Sequence, residues 1–121
     1  MITIFQIQPT DSQIDAFNAG NSVPAIEAKR KLMIRGSKNF TPDMLQYYTE
    51  TMVVAADDLE EAFELTNLWN NESRITRISE WQSSTSVGDI FGHNGRYYMV
   101  DSFGFEELKL FADEVEMLEV A

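Results

Sequence analysis

The sequence predicts an α+β domain: an antiparallel or mixed sheet with an N-terminal strand and a C-terminal β-hairpin, and helices packed on one face. Three observations lead there. Ile2 to Ile7 alternates Ile2, Ile4 and Gln6 against Thr3, Phe5 and Ile7, the period of a strand. Helix caps and apolar residues at helical spacing follow in the middle of the chain. Asn94-Gly95 lies between two runs rich in β-branched and aromatic residues, which marks a type I′ hairpin. Regular strand–helix–strand alternation fails after residue 72, which argues against a parallel, doubly wound sheet.

Taken in order, the first strand stops at Pro9. Thr10 and Asp11 are N-cap residues for a short helix through Ile14 and Phe17, closed by Gly20. Ser22 is placed to cap a second helix with Pro24 in its first turn and Gly36 just past its end. Its expected apolar stripe is Ala25, Ile26, Met33 and Ile34. Thr41-Pro42-Asp43 starts another short helix, and Tyr47 to Val54 is a strand by composition. Asp57 and Glu60 have capping-box spacing ahead of Leu59, Ala62, Phe63 and Leu65, a helix expected to end between Asn67 and Asn71. Arg74 to Ile78 is a short strand with Ile75 and Ile78 turned inward, and Ser83 to Ser86 is a polar connection. Val87 to Phe91 and Tyr97 to Val100 are the hairpin arms. After Gly104, the spacing of Leu108, Phe111, Val115 and Leu118 favours a helix for the first part of the ending, while Val115 and Met117 also alternate as in a strand.

A chain of 121 residues without internal repeat, low-complexity tract or linker fits one domain. It contains no cysteine, which excludes disulfides, zinc thiolate sites, iron–sulfur clusters and cysteine nucleophiles. The same absence points to a reducing compartment. Met1-Ile2-Thr3-Ile4-Phe5 has neither the basic start nor the apolar core of a signal peptide, and no apolar run reaches the roughly 18 residues of a membrane span. The expected location is the cytoplasm.

Nine Lys and Arg against 20 Asp and Glu give a net charge of −11, unevenly spread. Residues 1–38 hold five bases (Lys29, Arg30, Lys31, Arg35 and Lys38) against three acids, a net of +2. Residues 39–121 hold 17 acids against four bases, a net of −13. Such a surface repels phosphate backbones, so direct binding of DNA or RNA is not expected. The basic run suits the wet face of an amphipathic helix, and docking on an acidic face of a second copy would make a homo-oligomer.

No constellation for catalysis stands out. His93 is the sole histidine, sits beside the Asn94-Gly95 turn and has no nucleophile-elbow motif with it. The pairs Asp57/Asp58, Glu60/Glu61 and Glu106/Glu107 are sequence neighbours, which on a helix point in different directions. Neither Ser86-Val87-Gly88-Asp89 nor Ser102-Phe103-Gly104-Phe105 matches a phosphate-binding fingerprint. No cofactor and no metal are expected.

The blocks Ser84-Thr85-Ser86-Val87-Gly88-Asp89-Ile90, Asn94-Gly95 with Tyr97/Tyr98, and Val100-Asp101-Ser102-Phe103-Gly104-Phe105 stand together between Ser83 and Leu108. This segment resembles the YodL-like domains of bacterial, phage and mobile-element proteins. The preceding Ala56-Asp57-Asp58-Leu59-Glu60-Glu61-Ala62-Phe63 is similar to small phage proteins that carry this hairpin. The resemblance brings no catalytic residues; it implies a setting in phages, plasmids and other mobile elements. The function expected on these grounds is a non-enzymatic accessory protein that binds a host protein through an acidic surface. A defence protein that binds nucleic acid is a natural target, inhibited by a DNA mimic. Asp57, Asp58, Glu60, Glu61 and Glu64 form one expected acidic face, and Glu106, Glu107, Asp113, Glu114 and Glu116 another. The alternatives are a phage structural or assembly role and a small-ligand or nucleotide-derivative binder. In the latter, Tyr47, Tyr48, Trp69, Trp81, Tyr97 and Tyr98 would line a pocket.

Overall fold

Ile2–Ile7 forms β1, in which only Thr3 is not fully buried. A strand apolar on both sides must lie in the middle of a sheet that is covered on both faces. The computed structural model describes residues 1–68, 72–79 and 84–120 and places β1 there. The chain continues through α1 (Asp11–Asn18), α2 (Pro24–Arg35), 3₁₀ turns over Gly36–Asn39 and Pro42–Tyr47, β2 (Tyr48–Val54) and α3 (Leu59–Asn67). After a 3₁₀ turn at Glu72–Arg74 come β3 (Ile75–Arg77), β4 (Ile90–His93), β5 (Arg96–Val100), β6 (Phe105–Leu108) and α4 (Ala112–Val120). The sheet order is β3-β2-β1-β4-β5-β6, antiparallel at every pairing. The α+β class, N-terminal strand and C-terminal hairpin are as the sequence predicts.

The alternation of β1 sorts the core into two halves. Ile2 and Ile4 pack with Met52, Val54, Phe91 and Val100 under Ala62 and Leu65 of α3. Phe5 and Ile7 pack with Tyr48, Ile90, Met99 and Leu108 under α2, the second 3₁₀ turn and Leu118 of α4. Most of the helical cover thus lies on one face, as expected, and α3 is the exception on the other. A second helical layer is needed there because Ile2, Ile4 and Phe91 have no exposed surface at all. Burying each such side chain contributes about 1.5–3 kcal/mol.

Three local expectations are corrected. The buried stripe of α2 is Ala25, Ala28 and Leu32, not the set ending in Met33 and Ile34, which are 53% and 73% exposed. The two alanines let the helix lie close to the sheet, and Lys29 Nζ then donates to the Ile7 carbonyl at 3.1 Å. The helix cap of α3 falls one residue later than the spacing suggested: Asp58 Oδ1 accepts from Glu61 N at 2.8 Å and Glu61 Oε1 from Asp57 N at 3.0 Å. The first part of the ending is a strand, not a helix. The free edge of β5 pairs Val100 with Phe105 and Tyr97 with Leu108, and the helix begins only at Ala112.

The hairpin β4–β5 turns at Asn94 (φ 53°) and Gly95 (φ 76°), the two left-handed residues that a type I′ turn requires. Among the described residues no helix is long and apolar enough to cross a membrane.

Candidate functional site

The acidic residues of α3 do two different jobs. Asp58 accepts the first-turn amide and Glu61 closes the cap, while Arg74 Nη2 bridges Glu61 Oε1 at 2.9 Å and the Ala55 carbonyl at 2.7 Å. Those two carboxylates are tied to the fold. Asp57, Glu60 and Glu64 are exposed, and their carboxylates make no hydrogen bond or ion pair among the described residues.

The second acidic group is not one face. Glu106 pairs with Met99, whose side chain lies in the α2/α4 half of the core, whereas Glu107 pairs with Tyr98 and turns toward the α3 side. The two therefore project from opposite sides of an edge strand. There they also blunt edge-to-edge aggregation. Asp113 and Glu116 are exposed on α4, and Glu114 Oε1 is occupied by Phe111 N at 2.8 Å. Of the ten expected residues, seven (Asp57, Glu60, Glu64, Glu106, Glu107, Asp113 and Glu116) offer to solvent carboxylates that are unengaged among the described residues. They spread over both faces rather than gather in one cluster.

The basic run divides as well. Lys29 is held by Ile7, and Arg30 lies over the Phe17 ring at 5.6 Å. Lys31, Arg35 and Lys38 remain exposed.

The most perturbed polar groups are interior ones, which reading along the chain does not reveal. At β1/β2 the register skips between Ile4 and Phe5, and the bulge turns Thr51 inward. Thr51 Oγ1 donates to Gln6 Oε1 at 2.8 Å, and Gln6 Nε2 donates to Asp89 Oδ2 at 3.0 Å, all three residues buried. Ser86 N also donates to Asp89 Oδ2 at 3.0 Å, and Tyr48 Oη donates to the Gly88 carbonyl. Burial drives the Asp89 carboxyl up to about 6, against the opposing pull of Gln6, Ser86 N and the Lys29 charge. Tyr48 is likewise raised by burial and then by Asp89. The space beside Asp89, between Lys29, Leu32 and Val87, is about 10 Å³. At most one water fits there.

The Asp101 carboxylate has a comparable structural duty. It accepts from Ser37 N and Ser37 Oγ, each at 2.7 Å, across 64 residues of sequence. Gly36 (φ 59°) lets it in: a Cβ at that position would sit 1.9 Å from Asp101 Oδ1. The blocks around Gly88-Asp89 and Asp101 through Phe105 thus tie the hairpin region to β1 and to the end of α2.

Of the aromatics named for a ligand pocket, the four that are described do not line one cavity together. Tyr48 is buried, Tyr47 packs on the same core half, and Tyr97 leans on Phe5 at 6.2 Å. Tyr98 follows Tyr97 on the strand and points to the opposite face. Trp69 and Trp81 lie outside the described residues. His93 borders an open cavity of about 240 Å³ with Glu50, Tyr97 and Glu119. Among the described residues no group of three or more His, Asp or Glu is placed to hold a metal ion.

Two grooves flank the turn between β5 and β6. One, of about 420 Å³, runs over Phe63, Val87, Val100 and Phe105 and is rimmed by Glu60, Glu64 and Asp101. Phe105 forms its floor by edge contact with Phe63 and tilted contact with Phe91. The other, of about 460 Å³, is bounded by Ile34, Arg35, Lys38 and Phe103. Comparison of the chain with protein-family models, with curated proteins and with solved structures finds no match.

Proposed function

We propose that the protein is a non-enzymatic accessory protein of a phage or mobile element that binds a host protein through its acidic exterior. Where the host protein carries a nucleic-acid groove, the acidic surface occupies the cationic side chains that would otherwise meet phosphates. The observation that carries this reading is the set of seven exposed carboxylates that no cation within the described chain neutralises. Exposed charge left unpaired raises association rates with a surface of opposite sign. B-form DNA presents about one charge per 1.7 Å of axis, so a competitor needs many carboxylates rather than one strong site. A distribution over both faces suits a partner that wraps the molecule or closes around it.

The test is capture of a host protein from lysate by the wild-type chain and by a variant carrying Glu60→Lys, Glu64→Lys, Glu106→Lys, Glu107→Lys and Glu116→Lys. The expected result is loss of capture with the variant and displacement of the captured protein by duplex DNA. Capture that survives all five reversals overturns the proposal.

A further inference from the structure

The β5–β6 turn carries a side chain that the fold does not use. Phe103 is 98% exposed at its tip, and Ile34 at the end of α2, which lines the same groove, is 73% exposed. A single exposed apolar residue is ordinary, but two together in one groove are not scattered surface residues. The grooves share Asp101 and Ser102, so they adjoin at one turn. Their chemistry is opposite: Glu60 and Glu64 rim one, Arg35 and Lys38 the other. Both have apolar surface between the charges.

We propose that this protein forms a two-fold dimer through the Phe103 turn. A two-fold axis beside the turn sets the basic, Ile34-bearing patch of each copy against the acidic groove of the other. Phe103 of each copy then crosses onto the Phe63–Phe105 floor of its partner. An isologous interface needs a self-complementary patch, and adjacent patches of opposite sign with apolar surface between them provide one. The contact also balances charge locally in a chain of net charge −11, since it pairs two of the few unengaged cations with two acids. Glu106, Glu107, Asp113 and Glu116 stay uncovered, so dimerisation and capture of a host protein do not compete for them.

The experiment is sedimentation velocity of the full chain over a micromolar to submillimolar series, with folding of each variant checked by circular dichroism. Wild type is expected to dimerise. Phe103→Ser is expected to weaken self-association by about tenfold or more, as loss of a central anchor does. Glu60→Lys with Glu64→Lys, and separately Arg35→Glu with Lys38→Glu, are each expected to be monomeric. Mixed one to one, these two variants are expected to form a heterodimer, because both contacts then regain opposite signs. A wild type that stays monomeric throughout overturns the proposal. So does a dimer that none of the variants weakens, or a mixture that remains monomeric. Host-protein capture by the monomeric Arg35→Glu, Lys38→Glu variant reads out the proposed function separately.

Discussion

Asp89 shows at the scale of one residue how a buried carboxyl makes stability depend on pH. Folded, it holds its proton up to about pH 6, against an ordinary value of 3.8. Between those values the unfolded chain loses the proton first, so the Asp89 contribution to stability falls as pH rises from about 4 to 6 and is constant above. That difference corresponds to about 3 kcal/mol. Both described hydrogen bonds reach Oδ2, an acceptor that an asparagine oxygen reproduces. The Asp89→Asn variant is therefore expected to gain on wild type as pH rises from 4 to 6, measured by urea denaturation at each pH. An unchanged difference between variant and wild type would show that Asp89 does not titrate in this window. Nothing about position 89 in the chain announced this. Its partners Gln6 and Ser86 are 83 and three residues away.

At the scale of the element, α3 is held at its start by a cap and at its middle by packing. Asp58→Ala removes the side-chain acceptor of Glu61 N and is expected to cost about 1 kcal/mol. Asp57→Ala leaves the backbone bond from Asp57 N to Glu61 intact and is expected to cost less. Chemical denaturation of the two variants side by side checks the order. The cap was legible to within one residue because capping is a local, three-residue interaction. The stripe of α2 was not, since Ala25, Ala28 and Leu32 are as consistent with a helical period as the expected set. Which stripe turns inward depends on how closely a helix approaches the sheet, and alanine permits the closer approach. β6 was missed for the same reason: Phe105–Leu108 becomes a strand because β5 offers an edge, a partner that no window around residue 105 contains.

For the whole molecule the governing quantity is charge. Residues 39–121 carry a net of −13, and the basic run adds only three unengaged exposed cations, Lys31, Arg35 and Lys38. Duplex DNA titrated into the protein at physiological salt is expected to produce no binding signal by fluorescence anisotropy, because phosphate neutralisation needs clustered cations. Tight binding there would contradict the acidic-surface proposal at its root. The ten acidic residues were legible as a set, but their division was not. Asp58, Glu61 and Glu114 are taken up in caps, and Glu106 and Glu107 part across the edge strand.

The sequence by itself determined the α+β class, the N-terminal strand, the Asn94-Gly95 hairpin, the start of the first three helices to within a residue or two and the excess of negative charge. Each of these follows from local periodicity, turn chemistry or counting. Only the tertiary structure decided that α3 covers the face opposite α2 and α4, and that the chain's last strand pairs with β5. It alone joined Asp89 to Gln6 and Asp101 to Ser37, and set the acidic and basic grooves side by side at Asp101 and Ser102. These are contacts between distant segments, and their energies depend on which groups meet in three dimensions, a quantity that no stretch of neighbouring residues encodes.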